Sequence, residues 1–141
     1  MTQRMSTFTD TELEYLGSQR LARLATADLQ GAPHVVPLGL HLSADGRAIE
    51  VSGRGFATTK KYRNIKVNPR VAILVDDLAS VDPWTPRGIE IRGTAQLHEA
   101  GDGTIGPNGA DQAWARITPE RVVSWGIDSP AQRQARSIAP G

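Results

Sequence analysis

The chain has 141 residues, 39% of them apolar and 22% charged, and a formal net charge of +1, which describes one ordinary globular domain long enough to bury a core. So neutral a balance excludes a protein that coats nucleic acid or anionic membrane by bulk charge, and any anion site has to be local. The absence of cysteine excludes disulfides, thiolate metal centres and a cysteine nucleophile.

The N-terminal MTQRMSTFTDTELEYL lacks the apolar core of a signal peptide, and no apolar run approaches the roughly 20 residues of a membrane span. A cytoplasmic protein is expected, with no membrane partner. Thr9 and Glu12 fit a capping box, Phe8 can staple onto Leu13, and Gly17 is a stop, so a short helix opens the chain. Residues 20–28 alternate as a half-buried strand, and a turn at LQGAP leads to a second strand over 34–42. Pro37 and Gly39 inside that strand mark a bulge or a close approach of something to the backbone. SADGR supplies a hairpin turn, and RAIEVSG returns antiparallel.

A helix is expected from Phe56 to Val67, with Tyr62 and Ile65 inward and Asn68-Pro69 ending it. RVAILVDD, residues 70–77, reads as a central strand buried on both faces. A loop over 81–86 precedes a strand over 88–98, and the Gly-rich, polar residues 99–112 are expected to be mobile. Residues 116–127 form the last strand. Residues 1–128 are thus one domain and 129–141 a flexible tail without apolar periodicity. No internal repeat is present. About six strands in hairpin order with two helices predict a mainly β, antiparallel barrel.

One stretch stands apart. GRGFATTKKYRNIKVNPR holds Arg54, Lys60, Lys61, Arg63, Lys66 and Arg70, includes all three lysines of the protein, and lies in a region without acid from Glu50 to Asp76. It can be a solvated helix face, a nucleic-acid footprint or a small-anion site. With Thr58 or Thr59 as N-cap, Lys60 and Lys61 fall in the first turn, where a cation typically loses about 0.3–1 kcal/mol against the helix dipole. A bound phosphate reverses that sign, because N–H groups, dipole and lysines then converge on one anion. Nucleic acid ranks last, since interleaved aromatics and a second basic patch are missing.

KYRNIKVNPRVAILVDD resembles the K-x-R-N-(x)-NPRVA segment of the pyridoxamine-phosphate-oxidase-like split β-barrel proteins, and more narrowly their branch that uses the deazaflavin coenzyme F420. GAPHVVPLGLHL and VDPW followed by GIEIRGTAQL are similar to the family's second strand and to its later loop and strand, so the likeness runs from about residue 8 to 127. It implies a homodimeric, FMN-binding-like split barrel with cofactor sites between subunits. It places the cofactor phosphate at Lys61, with Thr59 and Lys60 as further contacts, and the ring along Val36, Pro37 and Leu38. Trp84 matches a residue that covers the ring in some relatives, and Asn64 matches a structural helix residue. Arg54 is a candidate for the acidic tail of F420, with Arg63 and Lys66 beside it.

The residues offer no chemistry of their own to compete with this. No G-x-S-x-G elbow marks a hydrolase, Asp76 and Asp77 alternate faces, and no G-x-G-x-x-G marks a Rossmann site. His34 and His41, seven apart on one strand, face opposite ways, so no metal site is expected. An enzyme of this kind borrows its chemistry from a cofactor. The expectation is a reductase passing a hydride from reduced F420 to an unsaturated small-molecule acceptor, with its catalytic residues unassigned. The alternatives are an FMN oxidoreductase of the same fold and a non-catalytic F420-binding or storage protein.

Overall fold

The computed structural model describes residues 7–109, 111–129 and 132–139. Helix α1, Asp10–Ser18, starts on the expected capping box: the Thr9 hydroxyl accepts from the Glu12 amide and the Glu12 carboxylate accepts from the Thr9 amide. Strands β1 (Leu21–Ala27), β2 (Pro33–Gly39), β3 (His41–Leu42) and β4 (Ile49–Val51) follow. Helix α2 (Lys60–Val67) separates them from β5 (Arg70–Ser80), β6 (Thr85–His98), β7 (Trp114–Trp125) and β8 (Arg133–Ser137). All pairings are antiparallel, in the order β2-β1-β5-β6-β7-β4-β3, with β8 on β7. The sheet curls around a core of Leu24, Ile49, Ile73, Ile89, Ile91 and Ile117, each fully buried. This is a mainly β, split-barrel fold with two helices, as expected, but with eight strands instead of six. No helix among the described residues is long and apolar enough to cross a membrane.

The two extra strands have separate causes. The single strand expected over 34–42 is divided at Leu40, because β2 pairs with β1 whereas β3 pairs with β4 on the far side of the sheet. Pro37 causes no bulge. The β1–β2 register runs unbroken from Leu21↔Gly39 to Ala27↔Pro33, and proline is tolerated because β2 is an edge strand whose outer N–H groups need no ladder partner. The second extra strand lies in the segment expected to be a flexible tail. β8 pairs with β7 from Arg121↔Ser137 to Trp125↔Arg133, on the edge that β4 leaves free.

What draws β8 in is a buried charge. Glu12 of α1 has no exposed surface, and the guanidinium of Arg136 reaches both of its carboxylate oxygens, Nη1 to Oε2 at 3.1 Å. Burial alone pushes the Glu12 carboxyl up. Hydrogen bonds from Arg136, the Thr9 amide and Ser124 outweigh that and hold it below the ordinary 4.5. Polar residues of the tail thus do what its composition hides.

Two other expectations change. β5 buries Val71, Ile73 and Val75 on one face, but Ala72 and Leu74 on the other remain partly exposed because no element of the chain covers them. The Gly-rich segment, expected to be mobile, makes local contacts at several described residues: Asp102 accepts from the Thr104 amide, its carboxylate meets His98 Nδ1 at 2.9 Å, and Gly106 packs on the indole of Trp114. His98 stacks on the same indole at 4.1 Å. A Cβ on Gly106 would lie 2.6 Å from that ring. Gly106→Ala should therefore destabilise by about 1–3 kcal/mol, read as a lower urea midpoint with an unchanged slope.

Candidate cofactor site at the start of helix α2

The expected helix over 56–67 is two pieces. Gly55, in the left-handed region at φ 61°, opens a 3-10 turn over Phe56–Thr58, and Thr59 then caps α2 by accepting from the Tyr62 amide. Thr59 as N-cap puts Lys60 and Lys61 in the first helical turn, as one of the two registers required. Inside, Tyr62 and Ile65 face the core. Asn64 is buried and donates to Thr26 Oγ1 at 3.0 Å, the structural role that its motif implied. The helix ends at Asn68, and Pro69 O receives the amide of Ala95 on β6.

This frame produces a compact set of free donors. The amides of Lys60 and Lys61 have no partner among the described residues, as expected for a helix start. Neither ammonium has a carboxylate within salt-bridge distance there, nor do Arg54, Arg63 or Arg70, whereas Arg23, Arg87, Arg92, Arg116 and Arg136 each hold one. Lys61 is half-buried with its Nζ 5.6 Å from the centre of the Phe56 ring, and burial lowers its pKa. Phe56 is in turn fixed edge-on by Tyr62, at 5.6 Å and 86°. Lys61 is therefore partly pre-positioned, a lysine held on an aromatic platform with nothing to neutralise it.

The other sequence candidates divide. Thr58 and Thr59 both spend their hydroxyl protons on backbone carbonyls, of Gly55 at 2.8 Å and Phe56 at 2.7 Å, so they are not free donors as they stand. Arg54 is exposed just before the 3-10 turn, Arg63 donates to Thr58 O, and Lys66 sits in the last turn of α2, where a cation suits the dipole. On β2, Val36 and Leu38 pair with Leu24 and Ala22 and share their inner face, while Pro37 points outward opposite Arg23. The three do not form one side-chain surface, though the free edge of β2 leaves backbone groups available to a ligand. Trp84 is 69% exposed at the tip of the β5–β6 hairpin. About 30 Å of strand separates it from Ala95, against which α2 ends, so one chain does not bring Trp84 to Lys61.

Asp76 and Asp77 are both engaged in ion pairs. Asp76 pairs with Arg23 at 3.0 Å. Asp77 takes a two-pronged contact from Arg87 and the Tyr15 hydroxyl at 2.9 Å. The Arg87 hydrogen bond holds the Asp77 carboxyl below its usual value, and burial pushes the Tyr15 phenol well up. Sequence reasoning missed Phe56 as the platform of Lys61; the only hint was its place just after Gly55.

The sequence profile described as pyridoxamine 5'-phosphate oxidase matches residues 8–126. The chain belongs to the pyridoxamine 5'-phosphate oxidase family. Among curated proteins of this kind it is similar to the 5a,11a-dehydrotetracycline/5a,11a-dehydrooxytetracycline reductase of Streptomyces rimosus, 40% identical over 121 residues, covering 86% of this chain and 84% of that one. Among solved structures it shares the fold of a conserved hypothetical protein from Mycobacterium tuberculosis, with a TM-score of 0.66 at 23% identity over 89% of each chain. It also shares the fold of an F420 reductase, with a TM-score of 0.55 at 24% identity over 73% of this chain and 88% of that one.

Proposed function

We propose that this member of the family is a reductase that uses coenzyme F420 to reduce an unsaturated organic acceptor. The observation that carries the cofactor half of this reading is the unneutralised cradle at the start of α2: two lysine ammoniums and two unpartnered amides directed by one helix end. Its donor set fits a phosphate. Lys61 and Lys60 hold the phosphate, Phe56 keeps Lys61 in place, and Arg54 and Arg63 extend the positive surface along which an acidic tail runs. The reductase half rests on the relative 40% identical to this chain, whose own substrate is an unsaturated polycycle by its name. When bound, the reduced deazaflavin supplies the hydride, and the protein's work is to anchor, orient and exclude water. Val36 and Leu38 on the inner face of β2, with the free backbone edge beside them, are the residues assigned to the ring.

The same reading makes the protein a homodimer. The outer face of β1, β2 and β5 leaves Leu21 50% and Val35 63% exposed, with Leu74 half-covered beside them, a surface suited to a second copy. A partner also offers a way for the exposed Trp84 to cover the ring bound to the neighbouring subunit. Sedimentation velocity should give twice the chain mass, and Val35→Glu should shift it towards the monomer.

Parallel fluorescence titrations with F420 and FMN test the cofactor. Micromolar or tighter binding of F420 with weaker binding of FMN supports the reading, after which turnover with the reduced coenzyme separates a reductase from a storage protein. Preference for FMN moves the protein to the flavin branch of the family. Binding of neither returns the basic stretch to a solvated helix face.

A further inference from the structure

A cleft of about 470 Å³ opens between the 3-10 turn and the two ends of the Gly-rich segment, a size suited to a small molecule. Its wall is largely apolar, built from Phe56, Ala57, Tyr62, Ala100 and Ala113. Tyr62 is only 8% exposed, yet its hydroxyl has no hydrogen-bond partner among the described residues and is not sealed from solvent, so it opens into the cleft that the residue lines. Glu99 is the one charged lining residue, and Gln112 adds an amide. Glu99 also borders a neighbouring cavity of about 270 Å³ that Asp102 and Asp111 line.

The cleft lies between a basic and an acidic stretch of the chain. Residues 51–75 contain no acid, and residues 93–115 contain no lysine or arginine but hold Glu99, Asp102 and Asp111. Among the described residues no ion pair joins the two segments. The recess is largely apolar, its one charged lining residue is Glu99, and the Tyr62 hydroxyl is unpartnered among the described residues, an arrangement a ligand completes. An anion is best served on α2, by Lys60 and Lys61. In the recess a carboxylate would meet Glu99, whereas a protonated amine would be paired by it.

We infer that this cleft binds a flat, mainly apolar molecule that carries a basic amine. Its rings lie against Phe56, Ala57 and Ala100, its amine faces Glu99, and its hydrogen-bonding groups meet the Tyr62 hydroxyl and Gln112. The site adjoins the α2 cradle through Phe56, which serves both. The inference goes beyond the reductase reading and does not depend on it, because neither Glu99 nor Ala100 takes part in holding a coenzyme phosphate.

Two planar probes test it on the full-length protein: cationic proflavine and anionic 1-anilinonaphthalene-8-sulfonate, each followed by its fluorescence. Proflavine should bind at one saturable site per chain, and more tightly than the sulfonate. Ala100→Trp fills the recess from an exposed position and should weaken proflavine about tenfold or more, and Glu99→Gln about fivefold. Gln112→Lys should weaken proflavine and strengthen the sulfonate. Unchanged melting curves confirm that the variants fold. Proflavine affinity indifferent to all three substitutions, or a preference for the sulfonate, overturns the inference. Failure of F420 to bind does neither, since that result addresses α2 alone.

Discussion

Arg136→Met should lower the stability of the protein by about 2–4 kcal/mol, near the range for stripping one partner from a buried ion pair. The substitution leaves the Glu12 carboxylate buried without its counterion; the loss stays below the top of that range because Arg136 keeps 29% of its side chain exposed. It also removes the donor to Thr7 O. Chemical denaturation should show the full effect, and the melting temperature should fall by about 10 °C. The pH dependence has a definite sign. Glu12 has a lowered pKa in the folded state, so its contribution is present above the ordinary 4.5 and is lost as pH falls through the folded value. The gap between wild type and Arg136→Met should accordingly narrow in acid, where Glu12 becomes protonated. Glu12→Leu combined with Arg136→Met should recover much of the loss. A variant as stable as wild type at neutral pH would mean that β8 does not hold Glu12 in solution.

Lys61→Ala is expected to cost on the order of 1–3 kcal/mol of coenzyme binding, or about 5- to 150-fold in Kd. The magnitude follows from losing a charge-assisted contact whose ammonium is already held over Phe56, so little ordering is regained when it is removed. Lys61→Arg should restore part of the affinity. Lys66→Ala is the control: it removes the same charge from the other end of α2, and should change affinity by no more than a general field effect that salt screens. Equal losses at Lys61 and Lys66 would argue for a diffuse basic surface instead of a cradle.

Much of this site was legible in the sequence because its signals are local. A cap at Thr58 or Thr59, the inward Tyr62 and Ile65, and the stop at Asn68-Pro69 are set by nearest neighbours along one helix, and the structure selects Thr59 as the cap. The separation of charge into an acid-free stretch and a base-free stretch is likewise visible in the order of residues. What the sequence could not show is which side chains are already occupied. The threonine hydroxyls look like donors until the 3-10 turn presents Gly55 and Phe56 carbonyls to them.

By itself, then, the sequence determined the helices, most of the strands, the antiparallel order and the position of the cationic cluster, since periodicity, caps and turns act over a few residues. Only the tertiary structure decided the break at Leu40, the eighth strand, the covering of Trp114 and the cleft beside Phe56. The break at Leu40 arises because β2 follows β1 while β3 stays in its hairpin with β4. The last three depend on meetings between separate elements or loops: Arg136 with Glu12, Gly106 with Trp114, and Ala100 and Gln112 with Ala57. Such contacts leave no periodic trace, because what selects them is the burial of one particular charge or ring and not a preference of the local backbone.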